Sequence, residues 1–206
     1  MSHQLMAWLQ VLTRLVLVQI MMAALTVLGL GLLGAAPAAA AAARVAGPIR
    51  RDEALPVVGT MWRTWRATFW RANLAAAPAA VLMAAAAGNL LLLGVGGVRV
   101  PPPAGGLLAS LAALIGLVGL LVWLVSAVLS SEEENSPGQV LRAAVLLPLA
   151  VPGTALSLLI TLAGVSLIVA VVPVLGVLCG ASAAMLLTEL LVSTRRQLLT
   201  HHLAGA

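Results

Sequence analysis

Few residues in this chain could do chemistry, and Glu189 leads them because it lies near the end of a long apolar stretch. A carboxylate is costly inside hydrocarbon, so an acid in such a place is a candidate for a functional site. Arg195 and Arg196 follow shortly afterwards. A position within a turn of the membrane surface would let Glu189 reach the surface or pair with either arginine, and we favour this interpretation over a functional site.

Asn73 and Asn89 are two further polar candidates, in or beside a second apolar stretch. An amide in such a place needs hydrogen-bond partners, and a bond to a neighbouring helix is a simpler use than ligand binding. His3, His201 and His202 lack acid or Cys companions at ligand spacing, so the sequence predicts no metal site.

Motifs for catalysis are missing from the sequence. It contains no Lys, no HExxH, no GxSxG and no glycine-rich phosphate loop. Ser182, the best-placed hydroxyl, has no base on any predicted span. We therefore expect no enzyme activity and no cofactor.

Composition indicates that these residues are positioned by helices in a bilayer. Hydrophobic residues make up 62% of the chain and charged residues 8%, whereas charged residues are about a quarter of a soluble domain. The net charge of +5 comes from arginines beside apolar runs, which predicts contact with anionic lipid headgroups and not with nucleic acid. Cys179 is the single cysteine, so no internal disulfide can form.

The spacing of charges predicts the membrane spans. A span needs about 20 helical residues, and uncharged runs cover 15–43, 72–98, 105–131 and 143–188. The last run is too long for one span, so we divide it near Pro173, with Thr154 as a helix N-cap and a turn at Ala163-Gly164 as the rival division. The first run is longer than the apolar part of a signal peptide, which favours a span over a cleaved leader. The predicted spans are 12–34, 72–96, 106–130, 154–171 and 173–192, within one membrane domain over 1–206.

Two interfacial helices complete the prediction of an all-α, polytopic membrane helix bundle. The first, over 58–71, concentrates aromatic and basic residues, and such helices lie with their rings at headgroup depth. We expect membrane anchoring from Trp62, Arg63, Trp65, Arg66, Phe69, Trp70 and Arg71.

The second interfacial helix, over 137–147, is predicted from a capping box. Ser136 stands at the N-cap, Pro137 at the first helical position and Gln139 three residues after the cap.

Small residues on the last span predict close helix packing. Gly176, Gly180, Ala184 and Thr188 recur at every fourth position, and such a stripe lets two backbones approach closely. Packing within the chain is favoured over a homodimer contact, and the oligomeric state stays open.

Arginine placement predicts orientation. The connection 44–71 holds six arginines, whereas 99–104 holds Arg99 alone, so the first connection is predicted to be cytoplasmic. Five spans then place the C-terminus in the cytoplasm and the N-terminus outside, although Arg14 fits that side poorly. A first span that re-enters through 29–43 removes the difficulty, so the side of the N-terminus stays open.

The stretch Trp62-Arg-Thr-Trp-Arg-Ala-Thr-Phe-Trp-Arg-Ala-Asn-Leu74, after a first span ending in Gly34-Ala-Ala-Pro37, resembles the YesL-like family of bacterial membrane proteins, a domain of unknown function. The later Leu141-Arg-Ala-Ala-Val145 helix and Pro152-Gly-Thr154 are similar too. The resemblance implies a small multi-pass plasma-membrane protein without enzyme activity, often encoded near carbohydrate uptake systems.

Two functions follow as hypotheses. The first is a nonenzymatic accessory protein of carbohydrate uptake, with a sugar-transporter subunit as its partner. The alternative is a small solute permease or transporter subunit, and an intramembrane enzyme is the least favoured class.

Overall fold

The computed structural model describes residues 2–51, 55–95, 101–132, 135–150, 152–171 and 180–191. Within them seven helices follow one another, and four of these, α1 to α4, are long and apolar enough to cross a membrane. The predicted all-α fold is confirmed. The helices are α1 (Ser2–Leu28), α2 (Leu32–Arg50), α3 (Val57–Gly94), α4 (Pro102–Ser130), α5 (Pro137–Ala150), α6 (Pro152–Val171) and α7 (Ala181–Leu191).

Helices α1 and α2 form an antiparallel hairpin, where the sequence analysis expected one span over 12–34. The chain reverses at Leu30 and Gly31, which have positive φ angles of 61° and 75°. A side chain on Gly34 would collide with the carbonyl oxygen of Thr26, so glycine is required for the close approach. The predicted span is wrong at its end because the glycines of the turn stop the helix before Gly34.

The alanine tract 38–43, interpreted from the sequence as the place where the first span ends, is instead the centre of the bundle. All six alanines are buried inside α2. Because alanine adds almost no side-chain bulk, helices α1, α3 and α4 can approach α2 closely on several sides. Composition alone does not reveal this role, because an alanine tract shows little periodic alternation of hydrophobic and polar residues.

Helix α3 is continuous, although its two halves were predicted as an interfacial helix (58–71) and a separate span (72–96). Its buried face continues through both halves at helical spacing and includes Met61, Thr64, Thr68, Ala72 and Ala79. Helix α3 continues even through Pro78, so the change in polarity after Arg71 marks a change of surroundings and not a backbone turn.

Helices α3 and α4 are in close contact at two glycines of α4. A Cβ atom on Gly116 would lie 3.2 Å from the Cβ of Ala86. One on Gly119 would lie 2.9 Å from Met83 Cγ and 3.2 Å from the backbone oxygen of Ala79. This is the small-residue packing that brings membrane helices together.

The capping box at the start of α5 is confirmed. The backbone N–H of Ser136 donates to Gln139 Oε1 at 3.0 Å, and the N–H of Gln139 donates to Ser136 Oγ at 3.4 Å. Val140 and Ala144, one turn apart, are buried against the bundle. Helix α5 therefore packs along the protein through one narrow face.

Helix α6 begins at Pro152 and not after an N-cap at Thr154, because proline is favoured at the first helical position. It continues through Ala163 and Gly164, so the rival division there is wrong. Residues 172–179, which contain the predicted break at Pro173, lie outside the described residues.

Helix α7 connects the end of the chain to its beginning. The backbone N–H of Ser182 donates to Gln19 Oε1 of α1 at 2.9 Å. One turn later Met185 is buried in the cluster that also contains Val18 and Ala42. The far end of α7 is thereby placed beside the end of α2.

Candidate functional site

Charged side chains converge where α2, α4 and α7 end and α3 begins. They line a cavity of about 480 Å³, which we call the charged cavity. Its lining comes from elements far apart in sequence, so only the folded bundle creates it. The lining residues are Ala43, Arg44, Gly47, Pro48, Arg51, Leu55, Thr60, Arg63, Val128, Ser131, Glu132 and Glu189.

Glu189 enters the charged cavity from α7. Its Oε1 lies 3.3 Å from the point where a Cβ on Gly47 would stand, and Arg51 Nη1 lies 3.6 Å from the same point. The missing side chain of Gly47 thus leaves room for both charged groups beside α2. The Oε2 atom of Glu189 is buried and accepts no hydrogen bond from the described part of the chain. Arg195 and Arg196, its predicted partners, lie outside the described residues.

Two arginines of the charged cavity have little to hold them. Arg44 and Arg63 are both exposed. Arg63 Nε donates to the carbonyl oxygen of Gly59 at 3.3 Å, in its own helix. Among the described residues, Arg44 makes no hydrogen bond or ion pair. Both guanidinium groups can therefore reach a ligand in the cavity.

Glu132 is held in place at the rim. Its Oε2 accepts a hydrogen bond from Asn135 Nδ2 at 3.0 Å. Its backbone oxygen accepts a second bond, from Arg71 Nη2 at 2.8 Å, and the oxygen of Ser130 accepts another from the same nitrogen at 3.2 Å. Arg71 thus donates to the carbonyl end of α4, where a cation is stabilised by the helix dipole. The sequence predicted a lipid anchor at Arg71 and gave no sign of this intramolecular contact.

The predicted anchor residues divide in the structure. Trp62 stacks on Trp65 at 5.5 Å, Trp65 meets Phe69 edge to face at 5.0 Å, and Phe69 meets Trp70 at 5.5 Å. Arg66 lies 6.0 Å above the Trp62 ring, within the range of a cation–π contact. Trp70 is 70% exposed, whereas Trp65 is half-buried against the core. The row of aromatic rings therefore has an exposed part at Trp70 and a half-buried part at Trp65.

The two asparagines have different surroundings. Asn73 Nδ2 donates to Leu33 O of α2 at 2.8 Å and to Phe69 O of its own helix at 2.9 Å, so it connects two helices. Asn89 is exposed and lines a second, mainly apolar cavity of about 240 Å³ between α3 and α4. This second cavity lies toward the other end of α3, far from the charged cavity.

The predicted small-residue stripe is described only in part. Gly176 lies outside the described residues, and Gly180 directly precedes α7. Ala184 lines a narrow gap between α4, α6 and α7, together with Leu124 and Thr188. The described glycines that bring α3 and α4 together are Gly116 and Gly119, which sequence spacing did not single out.

Sequence reasoning used Arg44 and Arg51 only to argue orientation and assigned Arg63 to membrane anchoring, and it did not predict that the three share a cavity with Glu132 and Glu189. The available signal was the absence of Lys. A chain that uses only arginine near its apolar runs favours recognition by planar guanidinium groups, which bind carboxylate or phosphate through paired hydrogen bonds. Within the described residues no cluster of His, Cys, Asp and Glu could hold a metal ion.

Residues 15–90 match the model of a family described as "Protein of unknown function, DUF624". The matched stretch includes α2, most of α1 and α3 as far as Leu90, and with them the arginines of the charged cavity but not its glutamates. No curated protein and no solved structure matches the chain. The apolar helices and this match together characterise a membrane protein of unknown function.

Proposed function

We propose that this protein is a nonenzymatic, multi-pass protein of the bacterial plasma membrane that assists carbohydrate uptake. The charged end of the bundle, where the charged cavity opens, is its contact surface for a sugar-transporter subunit. The resemblance to the YesL-like family supports the link to sugars. The observation that supports an accessory role is the position of the charged side chains that the structure describes, which gather at one end of the bundle.

The interior next to the charged cavity argues against conduction through the chain. Ala38 to Ala42 are almost fully buried, and Val125 of α4 is fully buried in the cluster that contains Ala43. Secondary transporters bind their substrates near the bilayer midplane, at broken helices. In this bundle the described helices fill the interior beside the charged cavity with alanine and valine, which favours binding at one face over passage across the membrane.

Three hydroxyl groups in the described part of the chain favour a nonenzymatic role. Thr68 Oγ1 donates to Thr64 O at 2.8 Å, Ser131 Oγ to Val128 O at 2.6 Å and Thr188 Oγ1 to Ala184 O at 2.7 Å. Each bond satisfies a hydroxyl group within its own helix. A hydroxyl used in this way donates its proton to a carbonyl oxygen and not to a base, as an activated nucleophile would.

A role as a small solute permease is the second candidate. One observation favours it, since the charged cavity has the size of a small-molecule site, for which volumes of about 300–1,000 Å³ are usual. Uptake of a solute by the purified protein in proteoliposomes would support this candidate over the first.

Copurification tests the accessory role. The tagged full chain is cross-linked in cells, solubilised in detergent, and its partners are identified by mass spectrometry. We expect a sugar-transporter subunit, and we expect the double variant Arg50→Glu with Arg66→Glu to release it because both side chains are exposed at the charged end. Leu91→Ala, at the opposite apolar end, is the matched control. A transporter subunit retained equally by both variants would contradict a contact at this end.

A further inference from the structure

The charged cavity combines cationic and anionic groups on different walls. Arg44 and Arg51 come from the end of α2 and Arg63 from the first turns of α3, whereas Glu132 follows α4 and Glu189 belongs to α7. Guanidinium groups match the oxygen geometry of phosphate and bind it through paired hydrogen bonds. Three of them around one cavity favour a phosphate group over a single carboxylate.

The glutamates place a second requirement on the ligand of the charged cavity. The buried Oε2 of Glu189 accepts no hydrogen bond from the described residues, and a buried acceptor without a donor is costly. A hydroxyl group of a ligand would supply that donor. The ligand that satisfies both walls therefore carries a phosphate and at least one hydroxyl.

We propose that the charged cavity binds a phosphate ester of a polyol, with Arg44, Arg51 and Arg63 holding the phosphate and Glu189 accepting a hydrogen bond from a hydroxyl group. The volume of about 480 Å³ exceeds what phosphate alone requires and leaves room for the polyol. Water-soluble polyol phosphates and the phosphatidylglycerol headgroup share this chemistry. The proposal stands independently of any transporter partner.

Binding is measured on the full chain with two probes. Glycerol 3-phosphate is titrated calorimetrically into protein in detergent, and phosphatidylglycerol is added to delipidated protein while thermal unfolding is followed. Binding of glycerol 3-phosphate identifies a water-soluble ligand, and stabilisation by phosphatidylglycerol alone identifies a headgroup. Either result supports the site, and the absence of both overturns it.

Arg63→Gln and Arg66→Gln form a matched pair on one helix, because Arg66 lies over Trp62 and does not line the charged cavity. We expect Arg63→Gln to weaken binding of the active probe by about ten-fold or more, the usual effect of losing a charge-assisted hydrogen bond. Arg66→Gln should bind as the unmodified protein does. Equal losses in the two variants would overturn the assignment.

Two further variants keep the test decisive. Arg44→Gln replaces Arg63→Gln if circular dichroism shows that the latter loses its helical structure, and the same ten-fold loss is expected. Glu189→Gln should reduce the preference for glycerol 3-phosphate over inorganic phosphate, because it weakens only the acceptor for the hydroxyl group. An unchanged preference would contradict the role of Glu189.

Discussion

Arg71 shows at the scale of single residues how a predicted surface cation becomes structural. Its guanidinium is half-buried and donates to two carbonyl oxygens at the end of α4. A helix leaves its last carbonyl groups without partners in the helix, and a cation placed there satisfies them. Arg71 therefore holds α3 and α4 together at the level of the charged cavity.

Replacing Arg71 tests this contact. Arg71→Ala should lower the free energy of unfolding by about 1.5–3 kcal/mol, the range for hydrogen bonds made by a charged group. Arg66→Ala removes an exposed arginine of the same helix together with its contact to the Trp62 ring and should change stability by no more than about 1 kcal/mol. Chemical unfolding of both variants in the same detergent provides the comparison. Equal effects would mean that the contact with α4 is not what stabilises the bundle.

Trp65 and Trp70 also differ in burial, and the difference predicts different roles. Trp65 is half-buried against the core, whereas Trp70 is 70% exposed. Trp65→Ala should cost roughly 2 kcal/mol, about half of the cost for a fully buried ring. Trp70→Ala should leave unfolding nearly unchanged and instead weaken the seating of α3 at the membrane surface. Unfolding in lipid nanodiscs measures the first effect and protease protection in membranes the second. A larger loss of stability for Trp70→Ala than for Trp65→Ala would contradict this division of roles.

At the scale of helices, the contact between α3 and α4 depends on glycine. Gly119→Leu must push Met83 and the backbone at Ala79 away, which should destabilise the protein by about 1–3 kcal/mol, as overpacking does in filled interiors. Gly106 of the same helix has no atom within 4 Å of its missing Cβ, so Gly106→Leu is the control. Thermal unfolding in detergent should separate the two variants clearly. Similar midpoints would show that the helices can move apart at little cost.

The helices differ in how well the sequence predicted them. The start of α5 was predictable because Ser136 and Gln139 satisfy each other's backbone locally. The glycines at 29 and 31 allow a break between α1 and α2, but the reversal also depends on Leu30, a residue type that rarely adopts positive φ, and local propensity does not predict that. The continuity of α3 was missed because polarity changes along it while the backbone does not.

The candidate site was less predictable than the helices for a related reason. Glu189 stood out from the sequence because a charge in an apolar stretch is unusual. Its neighbours Gly47 and Arg51 lie more than a hundred positions away, and only the packing of α7 beside α2 brings them together. Contacts between distant helices depend on packing angles that a single sequence does not reveal.

At the scale of the whole molecule, the hairpin of α1 and α2 is shorter than α3. The bond from Asn73 to Leu33 places the hairpin tip, residues 28–32, beside the middle of α3. At about 1.5 Å per residue the 38 residues of α3 extend for about 57 Å, nearly twice the hydrocarbon core of about 30 Å. The hairpin therefore ends well before the far end of α3.

The tip is also strongly apolar. Leu30 is 85% exposed and Leu32 is 92% exposed within the bundle. Leu30 adopts a positive φ, which glycine or asparagine would adopt at lower cost. The benefit of an apolar side chain at this position therefore exceeds the cost of the backbone conformation. Residues of this kind at a turn indicate contact with hydrocarbon. We expect the hairpin to enter the membrane and return to the side from which it came.

Labelling can distinguish re-entry from two complete crossings. In a Cys179→Ser background, Leu30→Cys should resist a membrane-impermeant maleimide added from either side, because a re-entrant tip stays in hydrocarbon. Arg51→Cys should react from the cytoplasmic side only, as the arginine asymmetry predicts. A spin label at position 30 should then be accessible to oxygen and protected from a water-soluble nickel chelate. Reaction of Leu30→Cys from outside intact cells would show instead that α1 and α2 both cross the bilayer. Either arrangement places Arg14 and the charged cavity on one side of the membrane, because α1 and α2 are antiparallel, and this removes the difficulty that Arg14 posed for the predicted topology.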